Sequence, residues 1–400
     1  MYRHWNFDTI TINKVNISGK GTVTVSKFGK VRILVDFPSL IPSINEPIDV
    51  YGTNYNGERF EAKNAVVTKS KNATYTTLEI CILKLRLWGD GVTEENISWD
   101  IKKLHLKNFK SYCSRSKYKI KKLHAMIIDD SNAASPNNAD KGEHNQILVL
   151  KSDTAINDSS NEFFYELRNL LSIAQRNHVF PTIIESYLGD KFIYADFVEK
   201  DLNTFCGKPL TGWFGDDILN FLSVTISSYE SNETNFGLST ICEYYWRMHT
   251  ETTFEIKFLF ASVLMEALKF NWAANVSNLE KAMKSNGLIR GFRDKGGPQT
   301  GKLKYKNKSF EDLMIMLSTH LGYTANKGTF TFIDDRNALF HSGLSSSAQI
   351  SGQNQWSGSK SELKILINQI DDLILRILNY SGDIYDYENP NNKIMFPSRT

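Results

Sequence analysis

The chain has 400 residues, and at roughly 100–200 residues per domain two or three domains are expected. It is 41% hydrophobic and 23% charged with a mean hydropathy of −0.34, which excludes a wholly disordered or collagen-like chain. Basic residues exceed acidic ones by 47 − 44 = 3 and the pI is about 8.4, so any nucleic-acid affinity has to come from how the charge is distributed, not from its sum.

The opening residues, MYRHWNFDTITINKV, lack the apolar core of a signal peptide. The longest strongly apolar stretch, Phe258 to Leu268, contains Glu266 and falls well short of the about 20 residues that a bilayer span needs, so no membrane association is expected. Cys81, Cys113, Cys206 and Cys242 are widely spaced, with no CxxC and no histidine at ligand spacing. That argues against a disulfide scaffold and a zinc module, and the expected setting is a reducing cytoplasm with neither metal nor cofactor.

Residues 18–37 alternate apolar and polar around Phe28-Gly29-Lys30, a hairpin pattern. Tyr75 to Trp88 and Ile120 to Ile128 are β-branched and aromatic runs of period 2. Residues 1–150 are therefore expected to form an antiparallel β-rich domain that senses a trigger or binds substrate. Within it, Lys102, Lys103, Lys107, Lys110, Arg115, Lys117, Lys119, Lys121 and Lys122 occur with no acid between them, interleaved with Phe109, Tyr112 and Tyr118. Cations for phosphates and rings for bases suit a nucleic-acid surface; a basic, solvated sheet face is the plainer alternative. Asp129 to Gln146 is polar and reads as a linker or insertion.

Helical spacing then takes over. Phe163, Phe164, Leu167, Leu170 and Leu171 form one stripe, and Pro181 and Gly189 interrupt the period around the strand-like FIYADF. Residues 151–250 are expected to be a mixed, mostly helical connection. Phe254 to Phe270 is apolar nearly all round, as a central buried helix would be. Ser277 to Glu280 has the pattern of a capping box, and Phe310, Leu313, Met314, Leu317 and Leu321 form a further stripe. Leu363, Leu366, Ile367, Ile370, Leu373, Ile374, Ile377 and Leu378 mark a long amphipathic helix that Gly382 is expected to stop. Residues 251–385 are thus expected to form an all-α bundle, with 386–400 as a tail, giving an α+β chain overall.

One segment of that bundle carries chemistry. Phe332 to Gly343 reads as a short helix with acids at its start and a glycine stop. At a step of about 100° per residue, Arg336 lies between Leu339 and Phe340, and Asn337 and His341 lie side by side at the edge of that face. An arginine inside an apolar stripe is costly unless it meets an anion or a partner surface. Histidine moves protons near neutral pH and arginine neutralises a phosphate in its transition state. RNA brings its own nucleophile, the 2′-OH, so Arg plus His suffices in principle for metal-independent cleavage. The structural alternative pairs Arg336 with Asp335 or Glu266 and leaves His341 as a cap.

The run Arg336-Asn337-Ala-Leu-Phe-His341, followed by Ser-Gly, resembles the R-N-x-x-x-H signature of the HEPN superfamily. Residues 254–268 resemble that family's long first helix and 361–380 its closing helix, so the resemblance covers roughly 251–382. The layout of a β-rich N-terminal part, a helical middle and a C-terminal HEPN bundle is similar to the ApeA-like proteins of anti-phage defence. The resemblance implies a homodimer with a composite endoribonuclease site, held inactive until a phage-derived trigger arrives. Arg336 would neutralise the scissile phosphate, His341 would act as general base or acid, and Asn337 would fix the histidine or the phosphate. Glu266 and Asp335 would be supporting residues. The products would carry a 2′,3′-cyclic phosphate or 3′-phosphate and a 5′-OH.

A basic stretch, Arg290 to Lys308, includes Arg293, Lys302, Lys304, Lys306 and Lys308 and suits an RNA backbone. Gly296 to Lys302 fits G-x-x-x-x-G-K, but Leu303 stands where a P-loop needs Ser or Thr. The expectation is a cytoplasmic, metal-independent endoribonuclease, cutting RNA such as tRNA. Two alternatives stand beside it: a non-catalytic dimerisation scaffold, and an RNA-binding module led by residues 102–122.

Overall fold

The structure, a computed structural model, describes residues 3–12, 17–25, 31–37, 46–72, 76–82, 84–92, 97–109, 111–129, 146–157, 162–198, 209–274, 309–336, 356–387 and 393–396. The chain divides into two compact units. The first comprises residues 1–168, 179–205 and 213–219, and the second 169–178, 206–212 and 220–400.

The first unit is built on antiparallel strands. Strands β1 (Arg3–Ile12), β2 (Ile17–Val25), β3 (Val31–Phe37), β4 (Ile48–Thr53), β5 (Arg59–Asn72) and β6 (Thr76–Ile82) run in the order β4-β1-β2-β3-β6-β5, and β5 pairs back onto β4. The ring therefore closes into a six-stranded barrel, which removes its free edges. Period-2 patterning fills the interior: Val23, Val25, Val31, Ile33, Val35, Ile80 and Ile82 are buried at alternating positions. Gly52 pairs with Phe60 across β4 and β5, and any side chain there would run into the Phe60 ring. That ring instead packs edge-on to Phe7, centroids 4.6 Å apart.

Strand β5 is long enough to serve two structures. Its second half pairs with β6 inside the barrel, while Arg59–Ala62 also pair with β7 (Lys84–Trp88). From β7 the sheet continues through β13 (Lys191–Val198), β12 (Phe180–Leu188), β8 (Ser98–Lys107), β11 (Gln146–Asn157), β10 (Leu123–Asp129) and β9 (Tyr118–Ile120). Ile120 to Ile128 is thus two strands, reversed at Lys121, whose φ is +55°. The β-rich region also extends past residue 150, because β12 and β13 return to this sheet after helix α1 (Glu162–Gln175).

The second unit holds the later helices. After α2 (Gly215–Phe236) come α3 (Leu238–Thr250), α4 (Phe254–Ala274), α5 (Phe310–His320) and α6 (Trp356–Ile377). Helix α4 buries Phe258, Ala261, Leu264, Met265, Leu268 and Trp272, yet leaves Ile256 and Phe270 exposed, so it is not covered on every side. Helix α5 is opened by a reciprocal capping box of Ser309 and Asp312. Helix α6 ends earlier than Gly382: Asn379 takes the left-handed conformation (φ +51°), and the Tyr380 amide bonds Leu375 O, a Schellman stop.

The C-terminal all-α bundle expected over 251–385 is not what the chain forms. Strands β14 (Gly382–Tyr385) and β15 (Lys393–Phe396) pair as an antiparallel hairpin, the Tyr385 amide bonds Leu210 O, and Phe396 is buried. The unit also draws on residues 169–178 and 206–212. The chain is a mixed α and β protein. Two four-residue strands are too short to register as alternation in a sequence, and they occupy what reads as a polar tail.

Candidate functional site

Helices α4, α5 and α6 and the helical turn at 332–336 bring a group of ionisable side chains together in the second unit. The turn is anchored by aromatic residues. Phe330 and Phe332 are buried with their centroids 6.3 Å apart, and Phe332 packs edge-on to Phe310 at 6.0 Å. Polar bonds fix the preceding loop: Gln369 Nε2 donates to Thr329 O (2.8 Å), and the Gly328 amide donates to Glu311 (2.7 Å). With the apolar residues inserted, the next positions, Asp335 and Arg336, are held where α4 and α6 can reach them.

Arg336 is oriented from two directions. Its Nη2 donates to Glu266 Oε2 at 3.1 Å, and its guanidinium lies 5.3 Å from the centre of the Phe310 ring. Lys269, one turn along α4 from Glu266, bonds the same carboxylate and lies 4.6 Å from the same ring. One carboxylate therefore stands between two cations, and the face of Phe310 attracts both. The Arg336 side chain is 25% exposed and Glu266 37%, so the pair is open to solvent on one side.

Behind it lies a carboxyl pair. Asp335 is buried, and Glu362 of α6 hydrogen-bonds to it. Burial, reinforced by the hydrogen bond and negative charge of Asp335, pushes Glu362 up to about 7. The Glu362 carboxyl therefore keeps its proton closer to neutral pH than an ordinary glutamate does.

The structure thus brings Glu266, Asp335 and Arg336 together in one region. Asn337 and His341 lie outside the described residues, as do Arg293, Lys302, Lys304, Lys306, Lys308 and the G-x-x-x-x-G-K stretch. Among the described residues, no cluster of three or more His, Cys, Asp and Glu is arranged to hold a metal ion.

The basic segment 102–122 is divided by the fold. Lys102, Lys107 and Phe109 are buried. Lys102 points its ammonium at three rings, 4.3 Å from Phe164, 4.7 Å from Trp99 and 5.6 Å from Tyr194. It stabilises the sheet from inside and has no access to a phosphate. Arg115, Lys117, Lys119 and Lys122 remain exposed.

A buried polar cluster elsewhere in the second unit was not foreseen. Arg176 Nε and Nη2 donate to Asp371 Oδ2 at 3.1 and 2.6 Å, Nη2 also donates to Tyr385 O, and the Tyr245 hydroxyl donates to Asp371 Oδ1 at 2.6 Å. Arg176 occupies the left-handed region (φ +47°), a costly conformation for a residue with a side chain. His249 lies between Tyr245 and Tyr387, and burial, aided by Arg176 and Lys257, holds its pKa well below the usual range. A neutral His249 and a fully bonded Asp371 are the marks of a structural clamp joining α1, α3, α6 and the C-terminal hairpin. A signal did exist: Asp371 falls on the apolar stripe of α6, four residues after Ile367 and three before Ile374.

Compared with known proteins, the chain matches no family model, no curated protein and no solved structure. No helix among the described residues is long and apolar enough to cross a membrane.

Proposed function

We propose that this protein is a metal-independent endoribonuclease whose cutting group is organised by Arg336. The observation that supports it is the setting of that arginine: aimed by Glu266 and Phe310, accompanied by Lys269, and partly open to solvent at the head of Arg336-Asn337-Ala-Leu-Phe-His341. Arg336 would bear on a non-bridging oxygen of the scissile phosphate and offset the charge that accumulates there. Glu266 would keep the guanidinium in register before substrate binds. His341 would take the 2′-OH proton or return one to the leaving 5′-oxygen, and Asn337 would hold the imidazole or the phosphate.

The biological reading that goes with this chemistry is an anti-phage effector of abortive infection, cytoplasmic, dimeric and latent until a phage-derived trigger is present. The test is the chemistry of the cut ends. Protein purified from phage-challenged cells, where the trigger has acted, and incubated with total RNA and tRNA in EDTA should leave 2′,3′-cyclic phosphate or 3′-phosphate ends and 5′-OH ends. Products with 5′-phosphate and 3′-OH ends, or cutting that EDTA abolishes, would overturn the proposal.

A further inference from the structure

The first unit carries a feature that the ribonuclease chemistry does not use. Tyr112 and Phe214 are 66% and 51% exposed, and their rings lie together with centroids 5.4 Å apart and planes 31° from parallel. Large rings are seldom left side by side in water without a use. These two are fixed in place by their backbone. The Tyr112 amide donates to Trp213 O (2.7 Å) and the Gly215 amide donates to Tyr112 O (2.9 Å), a parallel bridge. Ser114 is tied to Ile127 of β10 by bonds in both directions, 3.0 Å each, and Gln146 Nε2 bonds Ser111 O. A side chain at Gly215 would collide with Tyr112 O and Ser114 N, so the segment fits closely on the start of α2.

The same segment carries charge. Arg115, Lys117, Lys119 and Lys122 are exposed on the same segment and its continuation. The nearby acids are Asp129, Asp216 and Asp217. The Asp216 carboxylate is engaged by the Arg115 and Ser116 amides at 3.1 and 3.2 Å and by the Tyr118 hydroxyl, and Asp129 by Gln146 at 3.2 Å. Rigid exposed rings on the same segment as exposed cations match the chemistry of a flexible polyanion with stackable faces.

We propose that Tyr112 and Phe214 form a stacking platform for the bases of a single-stranded RNA, whose phosphates meet Arg115, Lys117 and Lys119. The choice of RNA over DNA rests on the ribonuclease reading, whereas the stacking and the cation contacts do not.

The test is fluorescence anisotropy of a labelled 2′-O-methyl RNA oligomer, which lacks the hydroxyl needed for cutting, so binding is measured independently of cleavage. The full chain should bind the single strand more tightly than the same strand in a duplex. Tyr112→Leu with Phe214→Leu keeps apolar bulk and removes both ring faces, and it should weaken binding about tenfold or more. Tyr112→Phe should stay within about twofold of the parent. Arg115→Ala with Lys117→Ala and Lys119→Ala should flatten the dependence of log K on log salt by about 2. Equal affinity of the Leu variant and the parent, equal affinity for duplex and single strand, or no binding by the folded chain would each overturn the proposal. If the Leu variant loses binding yet still cuts RNA, the platform stands and cutting does not require it; loss of cutting with binding intact would refute only the cleavage reading.

Discussion

Glu266 and Arg336 stand 70 positions apart in the chain and meet at 3.1 Å, the carboxylate accepting from Nη2. The contact joins α4 to the turn that leads into the R-N-x-x-x-H run. Since the pair is about a quarter to a third exposed, its direct contribution to stability is small, about 1 kcal/mol or less. Its consequence is orientation. Glu266→Ala should therefore lower RNA cleavage by about a hundredfold, the cost of a misplaced catalytic group, while the melting temperature moves by only a few degrees. A loss of activity that merely follows a loss of folded protein would show Glu266 to be structural.

The carboxyl pair of Asp335 and Glu362 gives stability a defined pH dependence. Glu362 titrates at about 7 in the folded chain against an ordinary value of 4.5. The folded state thus holds a proton that the unfolded state releases. The contribution is complete below about 4.5 and disappears as the pH rises through about 7. Thermal melts should show stability rising as the pH falls from 8 toward 5. Glu362→Gln should be the more stable protein at pH 8 and should flatten that slope. The effect should be about 1 kcal/mol or less, because the carboxyl is partly open to water.

The Arg176–Asp371 clamp is the opposite case, an ion pair fully buried on both sides. Asp371→Ala leaves a guanidinium buried without its counter-ion, which costs about 3–5 kcal/mol. In a unit of this size that is a fall of about 10 °C in melting temperature. Arg176→Met combined with Asp371→Ala should be less damaging than the sum of the single changes, as measured by a double-mutant cycle.

Lys102 separates core from surface within the basic segment. Lys102→Ala removes a buried stem and its contacts with Phe164, Trp99 and Tyr194, and should cost about 2–4 kcal/mol. Nucleic-acid affinity, measured below the melting transition, should not change. A shallower salt dependence in this variant would place Lys102 on the binding surface.

How far the sequence revealed this molecule depends on the range of the interactions involved. The β2–β3 hairpin and α1, α5 and α6 were legible because local periodicity dictates them. The barrel was not, since closure depends on β5 pairing with both β4 and β6. Lys102 reads as a surface cation because two of the rings that make its burial tolerable, Phe164 and Tyr194, lie far away in the chain. The all-α C-terminal bundle was a wrong expectation, as four-residue strands carry too little pattern to oppose a strong helical stripe. At the candidate site, Glu266, Asp335 and Arg336 could be named from the sequence, but Lys269, Phe310 and Glu362 could not. Their roles arise from where α4, α5 and α6 pack. Asp371 falls on an apolar stripe, which marks a buried carboxylate but does not name Arg176 as its partner.

The most direct test of the central claim is a cleavage time course on total RNA in EDTA, comparing the parent chain with Arg336→Ala and His341→Ala, each purified from phage-challenged cells and shown to be folded by its melting curve. The account predicts discrete fragments from the parent and none from either variant. Fragments from all three, or from none of them, would contradict it.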